Sequence, residues 1–177
     1  GQADSLEVFS IFAQANSSSN EQARILVQFP CSSRDTDDYP NSNLVTIEAD
    51  RLAGNIPASG SVNFFLKMYN VAIDQTVPTD FTLVVKPVSG AASVGKWEEG
   101  YGVDLDTYTD VTYGGTGSNW VNRSANTAWS STGGDYLSQR NYEQFFREGI
   151  EDLEINITDL VEDWIKDTAS GIPNAGV

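Results

Sequence analysis

The chain of 177 residues has no histidine, one cysteine, one methionine and only ten lysines and arginines. Without an imidazole, Ser-His and Cys-His nucleophiles, histidine general bases and nearly every zinc or iron site of ordinary design are excluded. Cys31 is alone, so no internal disulfide, thiolate metal site or CxxC redox pair can form, and a buried, inert thiol is expected. No apolar run approaches the 18 or so residues of a membrane helix, and no charged-then-apolar leader stands at Gly1. Neither a membrane span nor a signal peptide is expected.

Against the scarce cations stand twenty-five Asp and Glu, a net charge of −15. Such a surface repels phosphate backbones and anionic headgroups, which argues against nucleic acid and membranes as partners. It also favours solubility where salt screens self-repulsion. Hydrophobic residues make up 40% of the chain and aromatics 11%, which places it among globular proteins. At this length about 70% of the unfolded chain's surface can be buried without covalent staples, so one domain over residues 1–177 is expected.

The first half alternates with the period of half-buried strands. The pattern predicts strands over residues 5–12 and 23–29, with a turn at 16–20 between them. Residues 31–43 read as a loop, and residues 49–54 as a single helical turn ending at glycine. Residues 62–73 carry large apolar side chains at both parities, the mark of a central strand covered on both faces. A turn at 74–79 then makes residues 81–88 its simplest antiparallel partner. From Gly90 to Gly134 the texture changes to nine glycines and three tryptophans with almost no aliphatic run. Loops of that length carry function or pack by their own side chains. Leu153, Ile155 and Ile157 resume the strand period. A short helix follows, with Asp159 and Glu162 as its capping pair, Leu160, Val161, Trp164 and Ile165 as its apolar stripe, and Gly171 and Pro173 as its stop. Helices between strands are missing. The pattern therefore predicts an all-β fold, an antiparallel β-sandwich of jelly-roll type with long Gly/Trp-rich loops and one short C-terminal helix.

Two constellations could carry chemistry. Asp104, Asp106 and Asp110 have the oxygen-rich spacing that a calcium ion takes, but the glycine bend and the terminal bidentate glutamate of a calcium loop are missing. The plainer reading is a solvated acidic loop, with no cofactor. Trp97, Tyr101, Trp120 and Trp129 interleave with amides, as on sugar-binding surfaces where flat rings stack on the sugar and planar polar groups meet hydroxyls. The plainer reading is that these rings form the loop region's own small core. Glycoside hydrolysis needs two carboxylates facing across a cleft, whereas Glu98 and Glu99 are adjacent and point to opposite faces of a strand. The chain is expected not to be an enzyme.

The segments Trp97-Glu98-Glu99-Gly100, Gly117-Ser118-Asn119-Trp120, Thr127-Ala128-Trp129 and Thr132-Gly133-Gly134-Asp135-Tyr136 follow one another in an order that resembles the WxEG…TW…W…GGDY succession of DNRLRE-type domains. LEINITDLVEDW at 153–164 is similar to that family's strand-then-helix element and IPNAGV at 172–177 to the segment after it. ARILVQF at 23–29 and residues 61–69 are similar to two of its earlier strands. The sextet that names the family is absent, as are its closing strands. The resemblance implies a jelly-roll sandwich without catalysis. It further implies either a structural protein of a tailed-phage virion, in capsid or tail among many copies of other virion subunits, or a carbohydrate-binding module of a secreted or cell-surface protein, with a cell-surface glycan as its ligand.

Overall fold

A computed structural model describes residues 6, 8, 10–14, 17–29, 31, 46–74, 76–89, 97–99, 117–166 and 172–177 of the chain. In chain order its elements are β1 (Ser10–Gln14), β2 (Ser17–Gln22), α1 (Ile47–Leu52), β3 (Phe65–Met68), β4 (Phe81–Val85), β5 (Asn122–Ser124), β6 (Thr127–Ala128), β7 (Tyr142–Phe146), β8 (Leu153–Asn156) and α2 (Thr158–Ile165). The strands form small antiparallel ladders, β1 with β2, β3 with β8, β4 with β7 and β5 with β6. The regular elements among the described residues are thus mostly strands, eight of them in small antiparallel sheets, with two short helices.

The ladders β3–β8 and β4–β7 are joined by a side chain. Gln144 on β7 donates from Nε2 to the Asp152 carbonyl (2.8 Å) and accepts at Oε1 from the Glu154 N–H (2.8 Å). Its amide stands in for a strand residue straddling Leu153, with the donor and acceptor that a backbone would supply. The inner parity of these strands supplies the core. Leu66, Phe146, Leu153 and Ile155 are buried, while Phe65, Phe145, Glu154 and Asn156 alternate outward. Phe81 and Phe146, opposite each other in the β4–β7 register, stack with centroids 5.1 Å apart.

Helix α2 lays Leu160, Val161, Trp164 and Ile165 into the same core, the stripe its spacing predicts. Trp164 (1% exposed) and Leu160 (0%) each contribute about 2–3 kcal/mol of apolar burial. The acids of α2 hold it from three sides. Glu162 takes a bidentate pair from Arg51 of α1 (2.8 and 3.1 Å). Asp163 pairs with Arg140 and Lys166, and Asp159 accepts the Tyr142 hydroxyl (2.8 Å). Burial and the Asp159 carboxylate push the Tyr142 phenol up to about 12, with Arg140 pulling the other way. For Glu162 burial favours the neutral acid, but the Arg51 fork, Ser59 and Lys166 outweigh it and hold the carboxyl below its usual range. Asp163 is held low against its own burial in the same way, by Arg140 and Lys166.

Several expectations are corrected. Of the strand expected at 5–12, residues 10–12 belong to β1, which runs on to Gln14, and residues 6 and 8 are outside any strand. Residues 5, 7 and 9 lie outside the described residues, as does Asn16 of the expected turn. The polar residues 17–20 of that turn belong to β2, because a cross-strand backbone ladder overrides their turn composition. Residues 23–29 form no ladder. Val27 exchanges both backbone hydrogen bonds with Val177 (2.8 Å each), and beside it Gln28 and Asn174 use side-chain amides where further ladder bonds would lie. The stretch 62–73 is not covered on both faces: only Phe65–Met68 is laddered, and Phe65, Tyr69, Val71 and Ile73 are exposed. Its partner is β8, and β4 pairs with β7, a strand missed in the sequence. Asp80, in the left-handed region at φ 54°, donates its N–H to the Arg147 carbonyl and thereby directs Phe81 onto β7. Asp159 does not cap α2. The N-cap position is Ile157, and Asn156 Oδ1 accepts the Thr158 N–H (2.9 Å), which frees Asp159 for Tyr142. The helical turn expected at 49–54 is present as α1, capped by Thr46 Oγ1 on the Ala49 N–H (3.1 Å). Cys31 is buried, as expected, with its thiol directed to the Phe29 carbonyl (3.4 Å).

Removing one member of the Arg51–Glu162 pair leaves an uncompensated charge beneath α2. Arg51→Met is expected to destabilise the fold by about 3 kcal/mol in urea unfolding at pH 7, and Arg51→Met with Glu162→Met to recover most of that loss. Acid has the same target. Glu162 and Asp163 bind their protons more weakly folded than unfolded, so they contribute stability above their ordinary carboxyl values, which is lost as pH falls through the lower folded ones. Glu151 follows the same rule. Backbone N–H groups from Glu148 and Arg147 hold it at about 2, against the desolvation that opposes them. The unfolding midpoint is expected to be flat from neutral pH to about 5 and to fall steadily below about 4.5.

Candidate functional site

The tryptophan-rich segment is built by backbone groups caught on side chains. Asn119 Oδ1 accepts from the N–H groups of Val121 (2.8 Å) and Asn122 (2.7 Å), which sets the turn into β5. Asp135 accepts from Ser130 and Ser131 (2.8 Å each) and closes the turn after Trp129. Glu98 lies alongside the hairpin. Its N–H donates to the Arg123 carbonyl, its carbonyl accepts from Ser118, and its carboxylate accepts from the Ala125 N–H (3.0 Å).

The indoles are anchored in this frame. Trp129 is 7% exposed, packs with Val88 and Ala175, and donates its Nε1–H to the Asn119 carbonyl (2.9 Å). Trp97 is half-buried against the same cluster and donates to the Ala175 carbonyl (2.9 Å). Trp120 is 36% exposed, with the Arg24 guanidinium over its ring at 4.7 Å from the centroid. A sugar platform needs two exposed, coplanar rings. Of the three indoles here one is exposed, one half-buried and one buried, which fits a self-packed scaffold better than a stacking surface. Tyr101, Asp104, Asp106 and Asp110 lie outside the described residues.

The scaffold is fixed to the rest by the closing segment, residues 172–177. The Gly176 carbonyl accepts from the Val88 N–H (2.8 Å), and Val177 pairs with Val27. Ala175 enters the cluster of Val88 and Trp129, while Ile172 and Val177 pack against the core under α2. Gly176 has φ +83°, and a Cβ there would sit 2.3 Å from the Val27 carbonyl oxygen. Only glycine permits that approach.

Along β7 and β8 lies an open hollow of about 610 Å³, lined by Phe65, Tyr142, Glu143, Gln144, Glu154, Ile155 and Asn156. Lys67 pairs with Glu154 at 2.9 Å, so one of its two acids already has a cation partner. Around the hollow the outer parity of the sheet exposes Phe65 (46%), Tyr69 (76%), Val84 (46%) and Phe145 (55%). The exposed apolar run continues past β3 through Val71 and Ile73 toward Ile150, whose carbonyl accepts from the Asn70 side chain. This band was missed in the sequence because its members in residues 62–73 read as a second buried face and β7, which carries Phe145, was not seen. Also missed was a group of cations and rings, Arg24, Lys86, Trp120 and Tyr136. No sequence spacing links these positions. Only the scarcity of cations in so acidic a chain hints at them.

Among the described residues no three cysteine or acidic side chains gather as a metal site, and no helix is long and apolar enough to cross a membrane. No family model, curated protein or solved structure matches the chain.

The closing segment supplies a direct test of this assembly. Gly176→Ala is expected to cost about 2 kcal/mol or more, because both the left-handed backbone and the Val27 contact oppose a methyl group. Denaturant unfolding measures it, with Gly54→Ala, at a position open to solvent, as the milder comparison.

Proposed function

We propose that the chain is a non-catalytic structural and interaction domain. In this reading it is a jelly-roll β-sandwich of the DNRLRE kind and a component, in capsid or tail, of a tailed-bacteriophage virion. It works by being held among other protein subunits in many copies.

The observation that carries the reading is the apolar band on the outer parity of β3, β4 and β7. Phe65, Tyr69, Val71, Ile73, Val84, Phe145 and Ile150 are each between 46% and 76% exposed. Scattered apolar residues on a surface are ordinary, but Phe65, Val84 and Phe145 on the outer parity of three strands, continued past β3 by Tyr69, Val71 and Ile73, are costly to leave in water and suit burial against another chain. Residues 62–73 carry the pattern of a strand covered twice, and among the described residues one of those covers is missing. A neighbouring subunit would supply it. The Gly/Trp-rich segment fits the same role, since two of its three indole N–H groups are bonded to backbone carbonyls and support the frame. An acidic surface suits a particle exposed to salt, and a lone buried thiol leaves the fold indifferent to redox state.

Mass spectrometry of gradient-purified phage particles tests the assignment. Peptides of this chain are expected to co-sediment with intact virions and to be enriched over the host lysate. Recovery from the soluble host fraction alone would contradict it. Binding of the isolated chain to neutral glycan arrays through Trp120 would move the assignment to a carbohydrate-binding module.

A further inference from the structure

On a chain of net charge −15, two of the ten cations converge on one small area. The Arg24 guanidinium carbon lies 4.7 Å from the centroid of Trp120 and 5.9 Å from that of Tyr136, and Lys86 Nζ lies 4.2 Å from the same Tyr136 centroid. Different parts of the chain deliver them. Arg24 comes from the segment that pairs with Val177, Lys86 directly follows β4, and the two rings come from the turns on either side of β5 and β6.

Arg51, Lys67, Arg140 and Lys166 each meet a carboxylate. Arg24 and Lys86 meet rings instead, and among the described residues neither pairs with an acid. The distinction is electrostatic. A carboxylate cancels the charge it binds, whereas a ring face steadies a cation by its quadrupole and leaves the charge in place. Two uncancelled positive charges thus stand together on a surface that is acidic elsewhere. Lys86 reaches the ring from a half-buried position, and Arg24 is further fixed by donating from Nη1 to the Gly133 carbonyl (2.5 Å). Gly133 itself lies so close that a Cβ there would fall 2.9 Å from both Arg24 Nη1 and Trp120 Cζ2. With the guanidinium over the indole and the glycine against its six-membered ring, little flat surface remains for a sugar to stack on. What the patch offers is charge in a fixed place.

We propose that Arg24 and Lys86, held by Trp120 and Tyr136, form a docking site for a carboxylate-rich segment of a partner polypeptide. Charge complementarity selects this occupant. Two preset cations suit side-chain carboxylates from one acidic stretch, and guanidinium donors not used by Gly133 are left to meet them. The inference deepens the subunit reading above and rests on it for its setting. It says what chemistry a neighbour must present at this face.

Fluorescence anisotropy with a fluorescein-labelled oligoglutamate peptide tests it on the full chain. Because the chain as a whole repels anions, any binding must be local. The peptide is expected to bind at low salt and about tenfold or more weakly when salt shortens the screening length to a few ångströms. Arg24→Gln with Lys86→Gln is expected to abolish binding, and Trp120→Leu to weaken it several-fold by releasing Arg24. Lys67→Gln, which removes a cation outside the patch, is expected to leave it unchanged. Thermal unfolding of each variant confirms that the fold persists. No binding by the unaltered chain at low salt, or equal binding by the double variant, would overturn the proposal. So would an oligogalacturonate that binds more tightly through the same two cations, which would make the patch a site for carboxylated sugars. Peptide binding by a chain absent from particles would sink the virion assignment alone. A chain present in particles without peptide binding would sink only the docking site.

Discussion

The structure depends on the closing segment lying between parts of the chain that are far apart in sequence. Residues 172–177 pair with Val27 on one side and Val88 on the other. They place Ala175 among Val88 and Trp129, and Ile172 and Val177 against the core beneath α2. They also supply the carbonyl that satisfies the Trp97 indole. Two apolar clusters that share no buried residue are thereby linked through six residues. Loop closure makes such long-range contacts expensive to form one at a time, so they are expected to form and break together.

Electrostatics arranges what burial alone leaves undetermined. A chain with two and a half acids for every cation has few counter-charges to place, and those present are used at definite points. Arg51 and Arg140 fasten α2 through Glu162 and Asp163, so the helix is oriented by charge as well as by its apolar stripe. Other carboxylates serve as acceptors for backbone N–H groups. Glu98, Asp135 and Glu151 each close a turn or a join between segments that lack regular hydrogen bonding. The acidic composition is therefore partly architectural. In loops with few ladders, carboxylate oxygens do the work that strand neighbours do elsewhere.

Elements with local causes were legible in the sequence. The stripe of Leu160, Val161, Trp164 and Ile165, the alternation of Leu153, Ile155 and Ile157, and the helical turn ending near Gly54 follow from periods and caps within a few residues. Burial of Trp129 beside glycine-rich backbone agrees with the plainer reading of the rings, while Trp120 stays exposed. Pairing was not legible. Residues 81–85 could join the nearest strand or a distant one, and a left-handed Asp80 bonded to Arg147 decides for the distant one. Gln144 joins two ladders by an amide side chain, which no hydrophobic period reports. The patch around Arg24 joins positions 24, 86, 120 and 136, and such a meeting becomes visible only once the fold has brought them together.

Hydrogen exchange of the indole protons, followed by NMR in the native state, tests most directly whether the tryptophan segment is a scaffold locked by the chain's closing residues. The account predicts that the Nε1 protons of Trp97 and Trp129 and the amide protons of Val27, Val88 and Val177 exchange slowly. It further predicts that all five share one opening free energy close to that of global unfolding. Fast exchange at Trp97 and Trp129 beside protected amides in β8 and α2 would contradict it, and would leave those rings free to meet a ligand.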